Sequence, residues 1–148
     1  MSFAPLYPPG IHDISIDSMD DIFVHPFANN KRRKYLTERF RAFLDKFAEL
    51  GLYAEIWIDG SFSTQKPEPG DIDVVFFLDA EQINNLEPDK RNLIAELFNN
   101  ADSKIRYQCD VYLVPIQDPD SRSYWRGWFG YSRDETPKGI IRIFYAIN

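Results

Sequence analysis

Two aspartates one residue apart, Asp71 and Asp73, open the apolar run DIDVVFFL, and a third, Asp110, interrupts the apolar run RYQCDVYLVP. Side chains two apart on a strand point to the same face. Asp71 and Asp73 therefore project together, with backbones about 7 Å apart. Two such carboxylates repel, so one of them holds a proton, both face open water, or a cation lies between them. A hard divalent ion such as Mg2+ or Mn2+ prefers carboxylate oxygen and keeps positions open for phosphate. In the second run, period two puts Tyr107, Cys109, Val111 and Leu113 on one face and Gln108, Asp110 and Tyr112 on the other. If this strand neighbours the one that Asp71 opens, Asp110 reaches the same cation. Three carboxylates on adjacent strands are what two-metal phosphoryl or nucleotidyl transfer needs: one ion activates a hydroxyl, the other steadies the leaving pyrophosphate.

An earlier apolar run, AEIWID, ends in Gly60-Ser61. A glycine at a strand end lets the backbone approach a bulky anion. The serine beside it offers a hydroxyl and an amide, and a helical turn starting near Phe62 would add free amides for phosphate.

The elements that must carry these residues follow from periodicity. Residues 1–30 read as an irregular segment punctuated by Pro5, Pro8, Pro9, Gly10 and Pro26, with Ile14, Ile16 and Phe23 touching the main body. The spacing of Leu36, Phe40, Phe43, Leu44, Phe47 and Leu50 predicts a helix over 31–50, with Asn30 as N-cap and Gly51 closing it. Strands are expected over 52–59 and 71–78, the second buried on both faces because VVFFL is continuous. Pro88 starts a helix to about Asn99, with Leu93, Ile94, Leu97 and Phe98 inward. A third strand is expected over 104–115, a short helix capped by Asp120, and a last strand over 139–147. The fold class is α+β (or α/β), a small mixed sheet flanked by helices in a single domain over 1–148.

The ordered set Gly60-Ser61, a gap over 62–70, Asp71-Ile72-Asp73 in an apolar strand, and Asp110 on a later strand resembles the polymerase-β-like nucleotidyltransferase superfamily. Nearly the whole chain also resembles a family of small bacterial and phage-associated proteins of uncharacterised role (DUF6932-like). The recurring pieces PPGI, DGSF, DIDVV and PKGI stand here at 8–11, 59–62, 71–75 and 137–140. The superfamily resemblance implies a nucleotidyltransferase-like core. Asp71, Asp73 and Asp110 would ligate Mg2+ or Mn2+, Asp110 would also help activate the acceptor hydroxyl, and Gly60 and Ser61 would hold the terminal phosphates of a nucleoside triphosphate. The implied activity moves NMP, AMP first among them, from that triphosphate onto a hydroxyl acceptor that the sequence does not identify, a protein or RNA partner being one option, with the gene next door as the place to look for a protein partner. Two departures stand out: Pro67 and Pro69 limit any helix after Gly-Ser to about a turn, and the 148 residues are far fewer than in the larger enzymes that carry an added acceptor-binding domain. The alternative is a degenerate nucleotide- or partner-binding module, antitoxin-like or part of phage defence, that keeps the fold without catalysis.

Other polar residues have plainer readings. Asp59 is a turn former before it is an accessory ligand. Lys138, ahead of a strand, is either a phosphate contact or a solvated turn residue, and Arg133 stands in a similar position. The run Lys31-Arg32-Arg33-Lys34 reads as a solvated face, with an anion site as the alternative. Tyr124, Trp125, Trp128 and Phe129 at helical spacing read as core. His12 and His25 lie in the irregular segment without zinc-ligand spacing, and Cys109 reads as a small core residue.

The 148 residues carry a net charge of −6, which disfavours bulk binding to a nucleic-acid backbone. Hydrophobic residues make up 44%, enough for a core without staples. A single cysteine excludes an internal disulfide. The first ten residues lack a basic and apolar leader, and no stretch has the length of a membrane span, so the expected location is the cytoplasm.

Overall fold

Leu36, Phe40, Phe43, Leu44 and Phe47 form the buried face of the longest helix, α2 (Lys31–Ala48), which lies against a five-stranded sheet. The structure, a computed structural model, describes residues 3–131 and 137–146. Before α2 come β1 (Gly10–Asp13) and α1 (Met19–Phe23). After it come β2 (Ala54–Asp59), β3 (Ile72–Leu78), α3 (Ala80–Asn84), α4 (Pro88–Leu97), α5 (Asn100–Tyr107), β4 (Cys109–Pro115), α6 (Pro119–Phe129) and β5 (Gly139–Tyr145). The sheet order is β1-β5-β2-β3-β4. β1 runs parallel to β5, and β3 parallel to β4, while β2 is antiparallel to both its neighbours. This is the mixed α+β architecture expected from the sequence, a small mixed sheet flanked by helices.

The alternation of the strands sorts the core into two layers. Ile56, Ile58, Ile72, Val74 and Phe76 point toward α1, α2 and α4, where Phe43, Phe47 and Phe76 meet Phe98 edge-on at ring-centroid separations of 5.3–6.5 Å. Each such fully buried side chain contributes about 1.5–3 kcal/mol. Trp57, Val75, Phe77, Val114 and Ile140 point to the other face, which α6 covers with Phe129 and Trp125. Asp73 and Asp110 share this second, more thinly covered face.

Four local expectations are corrected. The N-terminal segment is not wholly irregular: Gly10–Asp13 forms an edge strand on β5, in register from Gly10 opposite Gly139 to Asp13 opposite Arg142. Four residues are too few to show a period, and only the pairing makes them a strand. The stretch before Cys109 is helix α5 rather than strand. Its cap is the Asn99 side chain, which accepts from the Asp102 amide at 3.3 Å, and Lys104 and Arg106 in its last turn suit the negative end of the dipole. That cap was the missed signal. Finally, α6 is capped by Asp118, not Asp120. Pro119 takes the first helical position, and the Asp118 carboxylate accepts from the Ser121 amide and hydroxyl. Only half of the α6 aromatics are core: Trp125 and Phe129 face the sheet, whereas Tyr124 and Trp128 are exposed. Among the described residues, no helix is long and apolar enough to cross a membrane.

Candidate metal centre

Register alone brings the acidic residues together. Asp73 on β3 lies directly opposite Asp59 on β2 and opposite Asp110 on β4. Asp71, two residues before Asp73, is on the same face at the mouth of β3. One oxygen each from Asp71, Asp73 and Asp110 can be chosen so that all lie within 4.8 Å of one another, and all three residues are half-buried. The three residues expected to share a cation are therefore in common reach.

Their charges are poorly compensated. Lys104 approaches Asp71 at 3.7 Å, and the Tyr112 hydroxyl donates to Asp110 at 3.3 Å. Burial, and after it the charges of Asp71, Asp110 and Asp59, push the Asp73 carboxyl up to about 7. The Cys109 thiol, facing the opposite layer, is pushed up by burial and then by Asp71, Asp73 and Asp110, and is a small core residue as expected. A half-buried, all-oxygen donor set with excess negative charge suits a hard divalent cation.

Gly60 does more than the sequence implied. Its φ is +79°, and a Cβ there would lie 2.1 Å from Asp73 Oδ2. The absence of a side chain is what lets the Asp73 carboxylate pack against the β2 strand end. Gly60→Ala should displace that carboxylate. We expect Mn2+ affinity, read by calorimetry, to fall at least about tenfold and any turnover by about a hundredfold, as for a small misplacement of a reacting group. Unchanged Mn2+ affinity would show that the packing is incidental. Ser61 opens a single 3-10 turn, Ser61–Ser63, so the helical turn after Gly-Ser is as short as Pro67 and Pro69 require.

The basic run at the start of α2 is corrected in part. Lys31 and Lys34 are exposed, but Arg32 and Arg33 are not a solvated face. Arg33 is fully buried against the ring of Phe27, and donates to the carbonyls of Phe23, Phe62, Thr64 and Lys66 at 2.5–3.2 Å. Arg32 donates to the carbonyls of Pro69 and Gly70, at 3.0 and 2.5 Å. Together they clamp both ends of the loop that joins Ser61 to Asp71. Sequence reasoning missed them because carbonyl partners leave no charge pattern to read.

Lys138 is not a solvated turn residue. It is 8% exposed, and its Nζ lies 2.7 Å from Asp59 Oδ1. Burial, outweighing Lys138, raises the Asp59 carboxyl to about 6. Asp59 also accepts from the Ser63 hydroxyl at 3.4 Å; it is the last residue of β2 rather than a turn residue, with a cationic partner behind the centre. Arg133 lies outside the described residues.

The recurring sequence pieces converge here. PPGI and PKGI are partners in the β1–β5 register, DGSF and DIDVV meet through Asp59 and Asp73, and Lys138 ties the two pairs together. Fold and site thus define a mixed α+β protein with a carboxylate centre built on two neighbouring parallel strands, β3 and β4. A model of a family of unknown function (DUF6932) matches residues 1–144, and the chain belongs to that family. No curated protein and no solved structure matches it.

Proposed function

We propose that this chain is a divalent-metal-dependent nucleotidyltransferase that moves NMP, AMP in the first instance, from a nucleoside triphosphate to a hydroxyl acceptor. The observation that carries the reading is the approach of Asp71, Asp73 and Asp110 oxygens within 4.8 Å on one sheet face. Asp71, Asp73 and Asp110 would hold Mg2+ or Mn2+, which supplies Lewis acidity toward the α-phosphate and a lowered pKa for the attacking hydroxyl. The acceptor oxygen bonds to the α-phosphorus, the bond from that phosphorus to the α–β bridging oxygen breaks, and pyrophosphate leaves. The hydroxyl proton passes to a carboxylate oxygen of Asp110, which the Tyr112 hydroxyl holds in place. The Gly60 and Ser61 amides, at a strand end free of Cβ at Gly60, receive the terminal phosphates. Arg32 and Arg33 fix the loop between that strand end and Asp71, so the ligands are set before substrate arrives.

The test is the full chain with Mg2+ or Mn2+ and α-labelled ATP. Labelled product and pyrophosphate are expected, both lost in Asp73→Ala; full activity in that variant removes Asp73 from the mechanism. A second reading, nucleotide or partner binding without catalysis, is favoured by the single turn after Ser61 and by Lys138 being occupied with Asp59. Tight ATP–Mg2+ binding by calorimetry with no turnover, even with any protein encoded beside it added, would select that reading.

A further inference from the structure

Beside the carboxylate centre, two adjoining pockets run between α6 and the β1–β5 edge of the sheet. One has a volume of about 390 Å3, and the next about 250 Å3. Ile11, Ser123 and Arg126 line both, so they form one groove. Its α6 wall is low because Ser123, Gly127 and Gly130 fall at helical spacing toward it, and Ile140 helps to floor it.

Among the described residues, every charged side chain lining the groove is a cation: Arg122, Arg126, Lys138 and Arg142. Glu55, Asp13 and Asp59 pair three of them, which leaves one positive charge in excess at the groove in a chain of net charge −6. Three of the four are fixed from behind. Arg122 binds Glu55 at 2.8 Å, Arg142 binds Asp13 at 2.6 Å, and Lys138 binds Asp59 at 2.7 Å. A guanidinium has five N–H donors, so Arg122 keeps donors for a ligand beyond its one carboxylate, whereas Arg142 spends Nε and one NH2 on Asp13 at 2.6 and 3.0 Å and its other terminal nitrogen lies 3.9 Å from Glu55. Lys138 sets where the groove ends: it lines the larger pocket while its Nζ contacts Asp59, the cross-strand neighbour of Asp73. An occupant held by the arginines would present its far end to the carboxylate centre.

We infer that this groove is the acceptor subsite and that the acceptor is a small hydroxyl compound carrying a phosphate group. The inference rests on the nucleotidyltransferase reading for the word acceptor, and on the groove alone for the anion. Phosphate matches several spaced cations, with Arg forks suited to its oxygens. The volume is that of a small-molecule site rather than of a polymer track. The phosphate binds among the arginines, and the hydroxyl at the other end reaches the α-phosphorus.

The test uses metal-free full chain in EDTA, titrated calorimetrically with ribose 5-phosphate, and with ribose as control. Binding of the phosphate compound alone is expected, weakened at least about tenfold by Arg126→Ala. Gly127→Leu keeps folding out of the question, since a Cβ there meets nothing within 4 Å and leucine favours helix over glycine. It should fill the groove and weaken binding by a similar factor, and in turnover raise the KM for acceptor without moving that for ATP. No binding in EDTA, or binding indifferent to both substitutions, overturns the groove. ATP–Mg2+ binding is measured in parallel: if it fails while ribose 5-phosphate still binds, the nucleotidyltransferase reading falls and the anion groove stands. A ten-nucleotide RNA that binds more than about tenfold tighter than ribose 5-phosphate overturns the assignment to a small molecule.

Discussion

Asp73→Asn should make the metal-free protein more stable at pH 8, and in the same step abolish its response to divalent cations. The Asp73 carboxyl titrates at about 7 in the folded chain, against an ordinary value of 3.8, chiefly because it is buried and next because Asp71, Asp110 and Asp59 are close. Between those values the folded protein keeps a proton that the unfolded chain has lost. Stability therefore falls as pH rises from about 4 to about 7 and stays low above, the cost reaching about 2–4 kcal/mol. Asparagine carries no charge at any pH, so the variant and the native chain should match near pH 4 and separate above pH 7. Melting temperatures across pH 4–8 in EDTA read this, with a gain of roughly 5–10 °C at pH 8 for a chain of this size. Added Mg2+ or Mn2+ should raise the melting temperature of the native chain at pH 8, by about 2.7 kcal/mol of stability at a hundredfold excess over the dissociation constant, and do little for Asp73→Asn. A native chain as stable at pH 8 as at pH 5 without metal would mean that the cluster is relieved by some other route.

The second large effect is on the loop. Arg33→Ala removes the donor from the carbonyls of Phe23, Phe62, Thr64 and Lys66, and empties a fully buried volume against Phe27 and Phe62. Burial draws the guanidinium down to about 10, so it remains charged at neutral pH, and its neutralisation rests on carbonyl dipoles. Several unsatisfied buried acceptors plus a cavity predict a loss of about 3–5 kcal/mol, measured by urea denaturation. Arg33→Lys should recover part of it, because one ammonium can serve some of these carbonyls but lacks the planar fork that spans them. A loss below about 1 kcal/mol would show that the loop over 62–70 holds itself in place, and that Arg33 is dispensable to the strand end and to Asp71.

The catalytic-looking residues and most of the helices were legible because their signals are local. The period in 36–50 marks α2, the run VVFFL marks a doubly covered strand, and aspartates at the mouth of DIDVV and inside CDVYLVP are conspicuous against apolar neighbours. Even the face shared by Asp71 and Asp73 follows from the strand repeat alone. Elements with weak local signals were not legible: β1 is four residues held only by its pairing with β5, and α5 hides behind an alternation that its Asn99 cap overrules.

By itself, then, the sequence determined which acidic side chains stand out as candidate ligands and which faces of their strands they occupy, because both depend on neighbours one to four residues away. Only the tertiary structure decided that Asp59, Asp73 and Asp110 fall in one cross-strand row, that Arg32 and Arg33 bind loop carbonyls, and that Lys138 turns inward to Asp59. Those are contacts between segments tens of residues apart. Strand order, register and carbonyl partners create them, and none of these leaves a periodic trace along the chain.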